Sequence, residues 1–150
     1  MTIQVDSREK AHAIEKILST FRQCCVKYYI SKMWVGDYGS LDNPRVAVDR
    51  KQSLLEVCSN MCQQHERFRD ECVRAKEAGI HLIILVEHGR GILCIDDVED
   101  WKNPRLKRSP QATTGKALAS FMRTMAEKYD IEWVFCEKSQ TGKEIIRLLG

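Results

Sequence analysis

Apolar and polar positions alternate at the start of the chain, so that Ile3-Gln4-Val5 predicts a short strand. After Asp6-Ser7 the apolar positions Ala11, Ile14, Ile17, Leu18 and Phe21 recur at helical spacing. From Val26 to about Tyr38 the β-favouring Val26, Tyr28, Tyr29, Ile30, Trp34 and Val35 predict two strands that meet near Ser31-Lys32. A polar turn, Ser40 to Arg45, then feeds a strand over Val46 to Lys51, and the whole segment reads as a meander. Helices are predicted around Leu54 to Met61 and from about Glu66 to Ala78, the second with Phe68, Cys72 and Ala75 as its apolar stripe and Gly79 as its stop. The run His81 to Val86 has the length and branching of a fully buried central strand, which implies parallel neighbours. Gly91 to Ile95 reads as a short segment and Lys102 to Pro110 as a loop. Leu118, Phe121, Met122, Met125 and Tyr129 trace a helix, Glu132 to Cys136 a strand, and Gly142 to Leu149 a closing helix. The alternation of strands and helices predicts an α/β fold.

Composition narrows this picture. A chain of 150 residues, 43% hydrophobic and 30% charged, fits one globular domain over 1–150 and excludes disorder or a fibrous repeat. No linker-like Gly/Ser/Pro stretch divides it, and the prolines at 44, 104 and 110 fall where the pattern already breaks. The longest apolar run, Leu82 to Val86, is far short of the roughly 20 residues a bilayer span needs. Residues 2–6 also lack an apolar signal-peptide core. The expectation is a soluble intracellular protein with no membrane partner, in the cytoplasm of a bacterial or phage-infected cell or the nucleus of a eukaryotic one. Seven cysteines, an odd number lying mostly in apolar segments, are expected to be reduced and buried. A net charge of +3 is too small to argue for a polyanionic partner by itself, so the placement of the charges must carry that argument.

One constellation has chemical content. Asp37 ends one predicted strand and Asp49-Arg50-Lys51 lies on the next, with a short turn making the two antiparallel neighbours. Asp49 and Lys51 are two apart, so their side chains leave the same face of the strand. Phosphodiester hydrolysis asks for oxygen ligands to hold a magnesium ion and a cation to steady the charge that develops on the phosphate, and Asp37, Asp49 and Lys51 supply those groups. An Asp followed a strand later by Asp/Glu-x-Lys resembles the PD-(D/E)xK nuclease core.

The order of Val5-Asp6-Ser7-Arg8-Glu9, Val35-Gly36-Asp37-Tyr38, Val48-Asp49-Arg50-Lys51, Arg67-Phe68-Arg69 and Leu85-Val86-Glu87 resembles the XPF-type family of structure-specific DNA endonucleases, closest to its Mus-type branch. The resemblance spans most of the chain. It implies a three-layer restriction-endonuclease-like domain with a central mixed sheet flanked by helices. Its implied ligands for Mg2+ or Mn2+ are Asp37, Asp49 and the main-chain carbonyl of Arg50, with Asp6 and Glu9 close by as a second acidic contribution and Lys51 as the catalytic lysine. Implied DNA contacts are Arg8, Arg50, Arg67 and Arg69. Two departures stand out: the family's Glu before Arg-Lys is Asp49, and the acid expected four positions beyond Lys51 is replaced by Leu55. Glu56, one step further on, is expected to point about 100° away on a helix. The tandem helix-hairpin-helix module that accompanies this domain in the family is not expected here.

Plainer readings stand beside these. Asp6 or Ser7 with Glu9 suits a helix start. Arg67, Asp70 and Arg74 on one helical face suit an Asp70–Arg74 pair. Lys102, Arg105, Lys107 and Arg108 crowd one loop, which serves either solubility or DNA phosphates. Cys58 and Cys62 lack the second pair that structural zinc requires, and Thr113-Thr114-Gly115-Lys116 lacks the order of a nucleotide-binding loop, so no nucleotide cofactor is expected. The expected function is metal-dependent cleavage of branched or duplex DNA. The rivals are a silent DNA-binding or scaffold module and a restriction-type enzyme. A homodimer or heterodimer partner is expected, with Ile145, Ile146, Leu148 and Leu149 as a candidate contact, although core packing is the simpler reading of that helix.

Overall fold

In the computed structural model, which describes residues 1–89 and 91–150, the strands form a sheet in the order β2-β1-β3-β4-β5-β6. These are β1 (Thr2–Asp6), β2 (Lys27–Ser31), β3 (Tyr38–Ser40), β4 (Val46–Lys51), β5 (His81–Glu87) and β6 (Glu132–Cys136). Short β3 runs antiparallel to both neighbours, while β1–β2, β4–β5 and β5–β6 are parallel. The helices are α1 (Ala11–Gln23), α2 (Leu54–Met61), α3 (His65–Glu77), α4 (Ile95–Val98), α5 (Gly115–Tyr129) and α6 (Thr141–Leu149).

The two-residue period of the strands builds three layers. On one face, Ile3, Val5, Tyr38, Val48, Ile83 and Leu85 pack under α1 and α6. On the other, Ala47, Leu82, Ile84, Val86 and Trp133 pack under α2, α3 and α5. The side-chain direction of each β4 residue therefore selects a layer: Val48 and Arg50 go to the α1/α6 side, Ala47, Asp49 and Lys51 to the α2/α3 side.

The predicted elements recur with four corrections. Only the second half of the meander forms: β3 pairs antiparallel with β4 as expected, whereas β2 pairs in parallel with β1, and residues 32–37 are not strand. The reason is α1, which carries the chain back over the sheet so that β2 adds at the edge, while Gly36 at φ 70° turns the chain into β3. The Gly91 to Ile95 segment leads into α4, where Asp97 accepts hydrogen bonds from Leu93 N at 2.9 Å and Cys94 N at 3.2 Å. Only Cys58 and Cys72 are buried; Cys24, Cys25, Cys62 and Cys94 are exposed near helix ends, Cys136 is half-buried, and all are free thiols. Ile145 and Leu149 are buried against α1, with Ile146 and Leu148 packed on the same cluster, so core packing accounts for the closing helix. Among the described residues no helix is long and apolar enough to cross a membrane.

Candidate active site

β4 ends in a cleft of about 240 Å³ between the sheet edge and α2 and α3. Asp49 and Lys51 both enter it, as their spacing requires, and Lys51 Nζ stands 2.8 Å from Asp49 Oδ2 and 5.5 Å from the centre of the Phe68 ring. Burial by itself would lower the Lys51 pKa, but the ion pair with Asp49 and the charges of Asp37 and Glu56 outweigh it and raise it. The ammonium is therefore fixed in its charged form.

Asp37 arrives from the adjacent chain. Its N–H donates to Val48 O at 2.8 Å, and its Oδ2 accepts the Arg50 N–H at 2.8 Å, which locks the carboxylate against the end of β4. Gly36 makes this approach possible: a Cβ there would lie 3.0 Å from Val48 O, at a positive φ that side chains rarely adopt. Burial first, then the charges of Asp49 and Glu9, hold the Asp37 carboxyl well above the usual carboxylate range, against the pull of the Arg50 N–H.

Arg50 leaves the opposite face and is buried. Its guanidinium donates to Glu9 Oε2 at 2.7 Å and Glu87 Oε1 at 3.2 Å, and Glu87 Oε1 also accepts from Thr141 Oγ1 at 2.9 Å. The expectation that the Arg50 side chain contacts DNA is therefore corrected: with two carboxylates around it and 3% of its side chain exposed, it pins the sheet end to the α1/α6 layer. Glu9 is engaged by Arg50 and by Tyr38 Oη at 3.3 Å. Asp6 lines the cleft, and its carboxylate accepts from Arg8 N, Arg8 Nε and Met33 N, so it holds the neighbouring loop.

α3 contributes more than its sequence suggested. The side chains turned to the cleft are Gln64, Arg67, Phe68, Glu71 and Arg74, not the Arg67–Asp70–Arg74 face; Asp70 pairs with Arg69 at 3.3 Å, outside the cleft. Glu71 is absent from the motif-based reading, although the 67-71-74 spacing marks it as part of one helical face. Its Oε1 accepts the Gly36 N–H at 2.9 Å, and burial followed by the charge of Asp49 raises its pKa. α2 adds Glu56, whose charge bears on Lys51 although Leu55 holds the expected acid position. Glu56 thus lines the cleft after all, its Oε2 accepting from Gln52 N at 2.6 Å ahead of the Ser53 cap. Asn60 also lines the cleft, buried and with its Oδ1 lacking a hydrogen-bond partner. Arg105, Lys107 and Arg108 do not line it; their loop contains a 3₁₀ turn, Pro104–Lys107, and Arg105 bears on Cys58 instead.

Among the described residues, no three His, Cys, Asp or Glu side chains stand together at metal-holding spacing. The donor set still fits a hard divalent cation. Asp37 has its pKa raised by burial first and then by the charge of Asp49, and Asp49 Oδ2 is buried with no well-directed hydrogen bond despite its ion pair with Lys51. Magnesium commonly takes one or two carboxylates and completes its shell with water and substrate phosphate, so this pair suffices where a calcium cage would need more.

An acid on the loop, an acid and a lysine two apart on the adjoining strand, and helices on both faces of a mixed sheet define a PD-(D/E)xK-like domain. The chain belongs to the ERCC4 domain family, whose model matches residues 5–149. It is similar to the structure described as XPF from Aeropyrum pernix, with a TM-score of 0.65 and 19% identity over 99% of this chain and 63% of that one. It is likewise similar to XPF from Aeropyrum pernix in complex with DNA, with a TM-score of 0.67 and 20% identity over 99% of this chain and 62% of that one. The chain thus spans less than two thirds of the length of these structures. No curated protein sequence matches it.

Proposed function

We propose that this chain is a metal-dependent DNA endonuclease that acts on branched or flapped DNA. The observation that carries the reading is the convergence of Asp37, Asp49 and Lys51 at the end of β4, in a cleft edged by Arg8, Arg67 and Arg74. Family membership and the DNA-bound relative support it. Mg2+ or Mn2+ held by Asp37, Asp49 and the Arg50 carbonyl would supply polarisation of the scissile phosphate and a lower pKa for the attacking water. Lys51, kept charged by Asp49, stabilises the negative charge that builds on the phosphate in the transition state. Arg8, Arg67 and Arg74 draw the DNA backbone into the cleft and orient it. Glu9 and Arg50 hold the acids in place from behind.

The test is incubation of the purified protein with labelled flap, fork, four-way junction and linear duplex DNA, with magnesium, manganese or a chelator, beside an Asp37→Asn/Asp49→Asn double variant. Metal-dependent cleavage of the branched substrates, lost in the double variant, is expected. Binding without cleavage of any substrate would replace the enzyme with a DNA-binding module. Cutting of linear duplex at one sequence would indicate a restriction-type enzyme.

A further inference from the structure

Trp34 has no role in the chemistry above, yet its placement is unusual. It is 73% exposed, in a chain whose other two tryptophans are the half-buried Trp101 and the buried Trp133. Burial of apolar area would ordinarily draw an indole inward. Here the main chain on either side is tied to the cleft walls. Met33 N donates to Asp6 Oδ1 at 3.3 Å, Met33 O accepts from Arg8 at 3.2 Å, Trp34 O accepts from Arg74 Nε at 3.4 Å, and Gly36 N donates to Glu71 at 2.9 Å. The Arg74 guanidinium also stands 5.4 Å from the centre of the indole ring, a cation–π contact that restricts the side chain. The Arg74 guanidinium that meets the ring also lines the cleft, so the indole stands next to it, on the adjoining groove lined by Lys32, Met33, Val35 and Pro44.

We infer that Trp34 is a stacking platform for an unpaired nucleobase of the DNA strand that enters the cleft. The inference rests on the nuclease reading and deepens it by naming the part of the substrate that is recognised. The occupant follows from the neighbours. A planar, exposed π surface with cations beside it matches the alternation of base and phosphate along a single strand: Arg8, Arg67 and Arg74 meet the phosphates and the indole meets a base. A base within duplex is covered on both faces by its own neighbours, whereas one at a flap or fork has a face to offer. Such a platform discriminates by strand structure and not by sequence, since every base has a π face.

The experiment uses flap and fork DNA carrying 2-aminopurine at the first unpaired position, with a chelator present so that nothing is cut, and intact duplex of equal length. The wild-type chain is expected to quench the probe on binding. Trp34→Ala is expected to bind flap and fork about tenfold more weakly without quenching, yet bind duplex as the wild type does. Trp34→Phe, which keeps a smaller ring, recovers most of the affinity. Unchanged thermal midpoints confirm that both variants fold, as the exposure of the residue leads one to expect. Flap affinity and quenching unaltered in Trp34→Ala, or equal losses on flap and duplex, would overturn the platform while leaving the nuclease reading intact. A wild-type chain that binds none of these DNAs would overturn both.

Discussion

Replacing Glu87 with alanine separates the support of the site from the site itself. Glu87 Oε1 accepts from Arg50 at 3.2 Å and from Thr141 at 2.9 Å, and Arg50 reaches Glu9 with its other arm at 2.7 Å. The side chains of Arg50 and Glu87 are each only 3% exposed, so water cannot take over the lost contacts. Removing one partner of a buried ion pair costs about 3–5 kcal/mol. Two features place this case at the lower end: Arg50 keeps Glu9, and Arg50 Nε and Glu87 Oε2 already lack partners, so the cluster is incompletely compensated as it stands. The expected loss is about 3 kcal/mol, which at roughly 3 °C per kcal/mol for a chain of this size lowers the thermal midpoint by about 9 °C. Glu87→Gln keeps an acceptor for Thr141 and Arg50 and is expected to lose about 1 kcal/mol. Circular dichroism melts measure both. Since the Arg50 N–H holds Asp37 Oδ2 at 2.8 Å, cleavage by Glu87→Ala is expected to fall about tenfold at a temperature where the variant is fully folded. A Glu87→Ala midpoint within about 3 °C of wild type would refute the claim that this ion cluster is a principal support of the sheet end.

Magnesium at about ten times its dissociation constant is expected to raise the wild-type thermal midpoint by about 4 °C, from roughly 1.4 kcal/mol of linkage, and to leave the Asp37→Asn/Asp49→Asn variant unmoved. An equal rise in both would place the ion elsewhere. Gly36→Ala is expected to cost about 2 kcal/mol, from the positive φ and the approach to Val48 O, and to reduce cleavage by displacing Asp37; a stable and fully active variant would contradict the geometry. Thiol titration at pH 8 is expected to show Cys24, Cys25, Cys62 and Cys94 reacting quickly, and Cys58 and Cys72 only on unfolding, because burial pushes their pKa values up to about 11 and about 12. Both buried thiols are raised above their ordinary 9.0 in the folded chain. The stability they contribute is therefore complete below that pH and is lost as the solution rises towards 11 and 12, which alkaline melts of Cys72→Ala against wild type would show as a flatter decline.

Much of the fold was legible because strong periodic patterns coincide with burial. Ile14, Ile17, Leu18 and Phe21 announce α1, and the run Leu82 to Val86 is buried on both faces as its composition requires. What failed was pairing. Nothing local distinguishes a hairpin turning near Ser31-Lys32 from the parallel β1–β2 pair that forms, because the choice depends on α1 returning the chain to the sheet edge. Trp34 and Val35 carry strand propensity, but Trp34 is exposed and Val35 is buried under the α2/α3 layer outside any strand, so tertiary position overrode propensity there.

The same distinction explains which parts of the site could be read. The two-residue period of β4 is rigid, so Asp49 and Lys51 on one side and Arg50 on the other follow from sequence alone, once the strand is known. Asp37 needed only the short β3–β4 connection. Glu71 and Glu56 depend on the phase of helices that pack across the chain, and one residue of phase turns a side chain by about 100°. On helix phase alone, Leu55 removes an acid and Glu56 points away from its place. At the first turn of α2 the side chain instead bends back to Gln52 N, and the start of the helix, not its face, brings the carboxylate to the cleft. Glu71 comes in from the opposite wall and fastens Gly36, the residue on which Asp37 pivots. The acidic character of the cleft is thus distributed over a loop, a strand and two helices, and it survives the absence of a carboxylate at position 55 because the neighbouring elements, not a single motif, set the field around Lys51.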